Sequence, residues 1–357
     1  MNIKIKWPYF FRGAFLLWLT LKVILKTLNK IERNMFFNNL CKEIKDVTIP
    51  LYKILIPFVF IIKFLEVVGV VDLITKVFEP LMSLIGLPAA LGIIWVTALM
   101  VNIYAALILF VNLLPSIDVT VAQITVLTVA MLFCHNLAVE SAISRSAGVS
   151  FLFTTFYRLI VAFFVCWILN LIYTKFNYLS QPFVTSFTIK LPQPGLLLWL
   201  KDQALYLFYI FIIIVILVTL LEILKVIGIE SFLKKILAPP LRFFGISESA
   251  MNIIIVGMTI GLQFGGGILI KEVNAAKIDK QSVFLSILMI NLVHAIIEDT
   301  LLMLAVGGHY SGVIFARIIF GFVISLLMLK VYQNFSIFFE KYIFNERLKS
   351  LPNYKKD

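Results

Sequence analysis

The stretch HNLAVESAISRSAGVSFLFTTFYR, from His135 to Arg158, occurs a second time as HAIIEDTLLMLAVGGHYSGVIFAR, from His294 to Arg317. When the sequence is shifted by 159 residues it matches itself without a gap, with the aligned pairs His135/His294, Glu140/Asp299, Gly148/Gly307 and Arg158/Arg317. The same register extends upstream as far as Val67, which falls on Val226. A chance match would not keep one offset over so long a stretch. The sequence therefore predicts two copies of one structural unit.

The composition indicates a membrane protein. Hydrophobic residues make up 61% of the chain, charged residues 14%, and the mean hydropathy is +1.03, which is more apolar surface than a soluble core of this size could bury. The net charge of +12 comes from basic residues clustered outside the apolar runs, so we expect lipid and not nucleic acid as the partner. Three cysteines provide no disulfide framework and no zinc motif, which fits a cytoplasmic (inner) membrane.

The pattern divides the chain into five parts. We expect a basic cytoplasmic segment, a first repeat, a linker, a second repeat and a basic cytoplasmic tail, at residues 1–50, 51–173, 174–203, 204–331 and 332–357. The stretch Phe10 to Arg33 is apolar on one side and basic on the other, which predicts an interfacial helix; a short transmembrane span is the alternative. Both termini are expected to be cytoplasmic.

Topology depends on two interrupted apolar segments, Ala89 to Leu114 and Ser247 to Ile270. If both cross the membrane, each repeat has four spans and the copies are parallel. If each is a re-entrant hairpin, each repeat has three spans, and the copies are inverted. The hairpin arrangement places 22 Lys/Arg inside and four outside, so the positive-inside rule favours it. The predicted fold is an all-α polytopic membrane protein with two inverted repeats, each of three spans, an interfacial helix and a re-entrant hairpin.

The glycine run from Gly261 to Gly267 supports a hairpin. Backbone that leaves the helix at membrane depth is stable only inside protein or beside a water-filled cavity, and glycine permits the conformations that such a tip requires. Helix packing through small residues is the alternative, since Gly261 and Gly265 also have the GxxxG spacing.

Ionisable residues inside the apolar runs are the strongest chemical signal. A charge at the bilayer centre costs about 2.5 to 3.5 kcal/mol on insertion scales and is usually tied to function or to a partner. His294 and Glu298 are four residues apart and are expected to share a helical face, as are Asn136 and Glu140. Asp299 adds a second carboxylate to the second copy.

Two roles are assigned to these polar residues. We expect substrate contacts from Asn102, Tyr104, Asn136, Gln263 and the backbone of Gly265, and an ion-coupling or polar core from His135, Glu140, Arg158, His294, Glu298, Asp299 and Arg317. For Arg158 and Arg317, a structural pairing with the carboxylate of the same repeat is the alternative. In a second interpretation, His135, His294 and Glu298 are metal ligands.

Several enzyme classes are excluded at the level of motifs. The sequence contains no GxxxxGK[ST] phosphate loop, no HExxH zinc motif and no GxSxG nucleophile elbow. We therefore expect no enzyme activity and no bound cofactor.

The repeated order of span, interfacial helix, interrupted hairpin and two spans resembles the Gate, or nucleoside recognition, domain family. The resemblance is carried by HNLAVESAISRSAG (residues 135–148), LQFGGGILIKE (262–272) and HAIIEDTLLML (294–304), and it covers about residues 50 to 331. Concentrative nucleoside transporters and the membrane part of ferrous-iron permease B share this domain. The resemblance implies a transport function.

Three functions are open at this point. The first is a secondary transporter or permease for a small polar solute, nucleoside-like or organic, with a midplane site between the repeats. The second is a divalent-metal permease, and the third is a non-transporting membrane assembly or regulatory factor. The expected partners are a small molecule or ion and the lipid bilayer; a homo-oligomer is left open.

Overall fold

The computed structural model describes residues 30–114, 117–184, 195–243, 246, 248–275 and 278–352. Within these ranges the chain is helical, and six helices are long and apolar enough to cross a membrane: Met35–Val67, Val121–Ser146, Phe151–Lys175, Leu196–Leu224, Lys280–Ala305 and Ser311–Asn334. Span length is the decisive criterion, because a crossing helix needs about 20 apolar residues. The predicted class, an all-α polytopic membrane protein, is confirmed.

Each half of the chain contains the same series of elements. In the first half these are α1 (Lys30–Val67), α2 (Val70–Leu84), α3 (Leu91–Met100), α4 (Ile103–Leu113), α5 (Val121–Phe133), α6 (Leu137–Ser146) and α7 (Phe151–Lys175). In the second half they are α8 (Leu196–Ile227), α9 (Ile229–Phe243), α10 (Glu248–Ile260), α11 (Leu262–Asn274), α12 (Lys280–Val293), α13 (Glu298–Ala305) and, after a π-helical turn at Ser311–Ala316, α14 (Arg317–Asn334). Two short helices, α15 (Ser336–Tyr342) and α16 (Glu346–Lys349), follow.

Backbone conformation repeats with the sequence. Gly69 and Gly228 have φ angles of 80° and 79°, and Asn136 and Ala295 both have a φ of 44°. The members of each pair are 159 residues apart. The sequence repeat is therefore also a repeat of local structure.

The interrupted segment of the second copy folds back on itself. Its turn is at Gly261, whose φ of 110° favours glycine, and α10 and α11 pack against each other on either side. A methyl group added to Gly265 would overlap the backbone of Gly257, so the two helices touch through glycines. The glycine run thus serves both expected purposes: it forms the hairpin turn and allows close packing.

The corresponding segment of the first copy turns at Asn102. Its backbone is extended there, and the Asn102 side-chain oxygen accepts a hydrogen bond of 2.8 Å from the Ala105 N–H at the start of α4. Helices α3 and α4 pack together on either side of this turn. Asn102 is therefore a helix-capping residue.

The outer faces of the spans are apolar. On α7 the side chains of Phe156 and Ile160 are 58% and 65% exposed, and their equivalents Phe315 and Ile319 are both 56% exposed. Residues four apart lie on one side of a helix, so each copy presents an apolar stripe outward. These stripes suit a lipid bilayer.

All four predicted boundaries fall inside helices; those at 173/174 and 331/332 lie within three residues of the ends of α7 and α14. The boundary between residues 50 and 51 falls inside α1, which runs unbroken from Lys30 through Pro50 and Pro57, and the boundary between residues 203 and 204 falls inside α8. The charged residues just before these points, such as Asp46 and Asp202, lie within the helices, because charged residues alone do not end a helix. Most of the predicted interfacial helix from Phe10 to Arg33 lies outside the described residues.

Loops gather at two ends of the bundle. At one end the C-terminal segment lies against the start of α7 and of α12, with hydrogen bonds Ser150 N–H to Ile343 O (2.8 Å) and Lys280 N–H to Pro352 O (3.1 Å). At the other end Thr120, just before α5, pairs with Pro182. Because Ser150 precedes α7 and Pro182 follows it, α5 begins beside the end of α7 and α12 begins near the start of α7.

Candidate functional site: a buried cluster between two broken helices

The spans that carry the two histidines are broken, which the sequence did not predict. Helix α5 stops at Phe133 and α6 starts at Leu137; α12 stops at Val293 and α13 starts at Glu298. The expected shared face of His294 and Glu298 is wrong, because His294 is extended and caps α12. Asn136, in contrast, is the left-handed N-cap residue of α6, and its carbonyl accepts a hydrogen bond from the Glu140 N–H (3.1 Å). A positive φ at Asn136 and at Ala295 turns the chain out of the helix.

Each break is held by the hairpin of the same copy. The Asn136 N–H donates to Ala98 O (2.8 Å), and the Ile296 N–H donates to Met258 O (2.7 Å). Trp95 in α3 adds a hydrogen bond from its ring N–H to Cys134 O (3.2 Å). Backbone groups freed by the breaks thus find partners inside the protein, as burial requires.

Two fully buried arginines support the breaks from the following spans. Arg158 Nε donates to Phe133 O (3.2 Å), and its equivalent Arg317 Nε donates to Leu292 O (3.4 Å), so each guanidinium lies at the open carboxyl end of a helix. Arg158 also forms an ion pair with Glu140, and Arg317 Nη2 lies 3.7 Å from Asp299 Oδ2. Each arginine therefore pairs with a carboxylate of its own repeat.

The two histidines meet. His135 Nε2 and His294 Nε2 are 3.2 Å apart, and both rings are buried. His135 Nδ1 lies 2.8 Å from Met131 O, and His294 Nδ1 lies 2.9 Å from Ile290 O. A carbonyl oxygen can only accept, so both Nδ1 atoms carry the proton. In the neutral rings, both Nε2 atoms are then acceptors.

Two carboxylates face the same point. Glu140 Oε1 is 3.3 Å from His135 Nε2 and 3.4 Å from His294 Nε2. Asp299 Oδ2 is 3.9 Å and 4.0 Å from the same two nitrogens, and it accepts no hydrogen bond from the residues that the structure describes. Four acceptor atoms therefore converge, and a cation between them would satisfy all four.

The remaining predicted residues have separate positions. Glu298 Oε1 accepts a hydrogen bond of 2.9 Å from the Tyr104 hydroxyl, so this carboxylate faces the first hairpin and not the histidines. The expected ligand set of His135, His294 and Glu298 is therefore wrong, and Glu140 stands in the place expected of Glu298. Gly265 packs against the backbone of Gly257. The side chain of Gln263 lies outside the described part of the chain.

Asn291 is a buried polar residue that was not among the predicted site residues. Asn291, on α12, is fully buried and donates from Nδ2 to Ser144 Oγ in the first repeat (2.9 Å). Its Oδ1 has no hydrogen-bond partner among the described residues. A lone asparagine in the apolar run SILMINLV was the available signal. Asn291 links the two halves one turn before His294.

Fold and site together define a polytopic helical membrane protein with a buried polar centre. The chain is similar to an uncharacterised membrane protein, YvoD, of Bacillus subtilis (strain 168), with 25% identity over 265 residues that cover 71% of this chain and 81% of the relative. No family model matches the chain. No solved structure matches it.

Proposed function

We propose that the chain is a secondary transporter or permease that moves a small cation through one central site shared by two oppositely oriented repeats. The observation that carries the proposal is the convergence of His135 and Glu140 from one repeat with His294 and Asp299 from the other. Buried ionisable groups inside membrane spans usually mark a substrate or ion pathway. The four side chains that converge between the repeats are buried ionisable groups of this kind.

Opposite orientation of the repeats is supported by two features. The six candidate spans divide into three per repeat, and an odd number of crossings would invert the second copy relative to the first. Helices α5 and α12 also begin at opposite ends of the bundle, as their flanking contacts at Thr120 and Lys280 indicate. Inverted repeats with broken helices at the repeat interface are a common design of secondary transporters.

A cation suits the site better than a nucleoside-like solute. The acceptor atoms are separated by 3.2 to 4.0 Å, which is the space of a single ion. Two residues expected to contact a solute have other roles: Asn102 caps α4, and Gly265 packs against Gly257. The central geometry thus favours the cation alternative.

The test is cation movement into liposomes that contain the purified protein. Internal dyes for protons and for divalent transition metals would be read in parallel. We expect wild-type protein to move a cation, and His135→Ala and His294→Ala to lose at least tenfold of the rate. His309→Ala is the matched control, because His309 lies in the loop before α14, hydrogen-bonded to Ser311.

Two results would contradict the proposal. Wild-type protein that moves neither protons nor metal would contradict cation transport. A His294→Ala variant as active as His309→Ala would place the pathway elsewhere.

A further inference from the structure

The central cluster has a more specific chemistry than cation binding alone. We infer that it is a site for one divalent first-row transition-metal ion, with His135 Nε2, His294 Nε2 and Glu140 Oε1 as ligands. The inference rests on the proposed function, in which this metal ion is the transported cation. Its support comes from ligand spacing, ring orientation, a fourth acceptor and the charges nearby.

The ligand spacing matches metal coordination. Zinc binds imidazole nitrogen and carboxylate oxygen at about 2.0 to 2.2 Å, so neighbouring ligands of a tetrahedral ion are about 3.3 to 3.6 Å apart. The three separations here are 3.2 Å between the two nitrogens, and 3.3 and 3.4 Å from each nitrogen to Glu140 Oε1. An ion can lie within bonding distance of all three atoms with little movement of the side chains.

The rings are already oriented for a metal. Both Nδ1–H groups point to backbone carbonyls of the preceding helical turn, Met131 O and Ile290 O. Metal-binding histidines usually donate their second ring N–H in this way, which fixes the tautomer and leaves Nε2 free to coordinate. Without a cation, two Nε2 lone pairs and a carboxylate oxygen would repel one another at close range.

Asp299 is available as a fourth ligand. Its Oδ2 is buried, lies 3.9 and 4.0 Å from the two Nε2 atoms, and has no hydrogen-bond partner in the described ranges. A shift of about half an ångström would bring it to the spacing of the other ligands. The site thus has three close ligands and, in Asp299, a more distant fourth. Such a site can release the ion on the side of the distant ligand, as transport would require.

The surrounding charges hold the ligands in place. Arg158 pairs with Oε2 of Glu140 and leaves Oε1 to face the histidines, while Arg317 lies beside Asp299. Glu298 adds a further carboxylate next in sequence to Asp299. Two imidazoles select against Mg²⁺ and Ca²⁺, which prefer oxygen ligands, and favour ions such as Zn²⁺, Fe²⁺ or Co²⁺.

The test is equilibrium binding of Zn²⁺ and Co²⁺ to the purified full chain in detergent. We expect one ion per chain, and a Co²⁺ absorption spectrum of low coordination number. His135→Ala, His294→Ala and Glu140→Gln should weaken binding at least tenfold, while His309→Ala should bind like wild type. Thermal unfolding in the absence of metal would show which variants are folded. The stoichiometry and the Co²⁺ spectrum of the wild-type protein test the site without the use of any variant.

Separate outcomes decide the two proposals. Wild-type protein that binds no metal, or a folded His294→Ala variant that binds like His309→Ala, overturns the metal site. Proton movement into liposomes without metal binding would overturn it too, while leaving the transport proposal intact. Stoichiometric metal binding without movement of the ion across liposomes would support the site and contradict transport.

Discussion

His135 and His294 are separated by 159 residues in the sequence, and their Nε2 atoms are 3.2 Å apart in the structure. Each is the equivalent of the other in the repeat. Equivalent residues that contact each other lie at the interface between the two copies. The two histidines therefore lie at the interface between the repeats, and the carboxylates Glu140 and Asp299 are arranged around them.

Glu140 and Glu298 should differ in their effect on metal affinity. Glu140 faces both histidines, whereas Glu298 bonds to the Tyr104 hydroxyl. We expect Glu140→Gln to weaken Zn²⁺ binding at least tenfold, and Glu298→Gln to change it by less than about threefold, because an outer carboxylate acts only through the field that it creates. Competitive titration with a metal indicator measures both. A larger loss in Glu298→Gln than in Glu140→Gln would reverse the assignment of ligands.

Removal of Arg158 should destabilise the fold. The side chain is fully buried, pairs with Glu140 and caps the end of α5. Loss of one partner of a buried ion pair costs about 3 to 5 kcal/mol, so Arg158→Gln should lower the unfolding temperature in detergent markedly. Because the charge left behind causes much of the cost, adding Glu140→Gln should recover part of the stability.

The matched control is Arg145→Gln, since the Arg145 side chain is exposed. We expect a change in unfolding free energy of about 0.5 kcal/mol or less for this variant. If Arg158→Gln is as stable as Arg145→Gln, the pairing has no structural role. Strict additivity in the double variant would show that the two residues do not interact.

Alanine substitution at two nearby glycines of the second hairpin should have opposite effects on stability. Gly265→Ala would push a methyl group into the backbone of Gly257, whereas nothing lies near the corresponding position of Gly267. We expect Gly265→Ala to cost about 1 to 3 kcal/mol through overpacking, and Gly267→Ala to be neutral or slightly stabilising. Thermal unfolding compares them. Equal stability of the two variants would indicate that the hairpin helices do not touch at this point.

The orientation of the repeats can be read from Lys76 and Lys235. Both are exposed, and they are equivalent positions. Inverted repeats place them on opposite sides of the membrane, whereas parallel repeats place them on one side. In a background without Cys41, Cys134 and Cys166, we expect an impermeant thiol reagent to reach only one of Lys76→Cys and Lys235→Cys in oriented vesicles. Labelling of both from the same side would exclude inversion.

Much of the fold followed from the sequence. The period of 159 residues, the apolar runs and the glycines near Gly261 predicted the spans, the repeat and the hairpin. Those features are local and strong: a run of about 20 apolar residues, or glycine where the backbone has a positive φ, has few alternative structures in a membrane. The repeat also gave His135 and His294 equivalent positions in one predicted polar core.

The breaks in the two spans could not be predicted in the same way. The runs around Asn136 and Ala295 contain neither proline nor glycine at the turn, and alanine with positive φ is uncommon. The energy that holds these residues comes from distant partners, such as the hydrogen bonds to Ala98 O and Met258 O. Without the breaks, helical spacing paired His294 with Glu298, and the sequence assigned Glu140 to the polar core but not to one point shared by both histidines.

X-ray absorption spectroscopy of the zinc-loaded wild-type protein tests the central claim most directly, because it reports the ligands themselves. We predict two imidazole nitrogens, from His135 and His294, and one or two carboxylate oxygens at about 2.0 to 2.2 Å, with one imidazole lost in His294→Ala and none lost in His309→Ala. A zinc environment with no imidazole, or one unchanged in His294→Ala, would contradict the account.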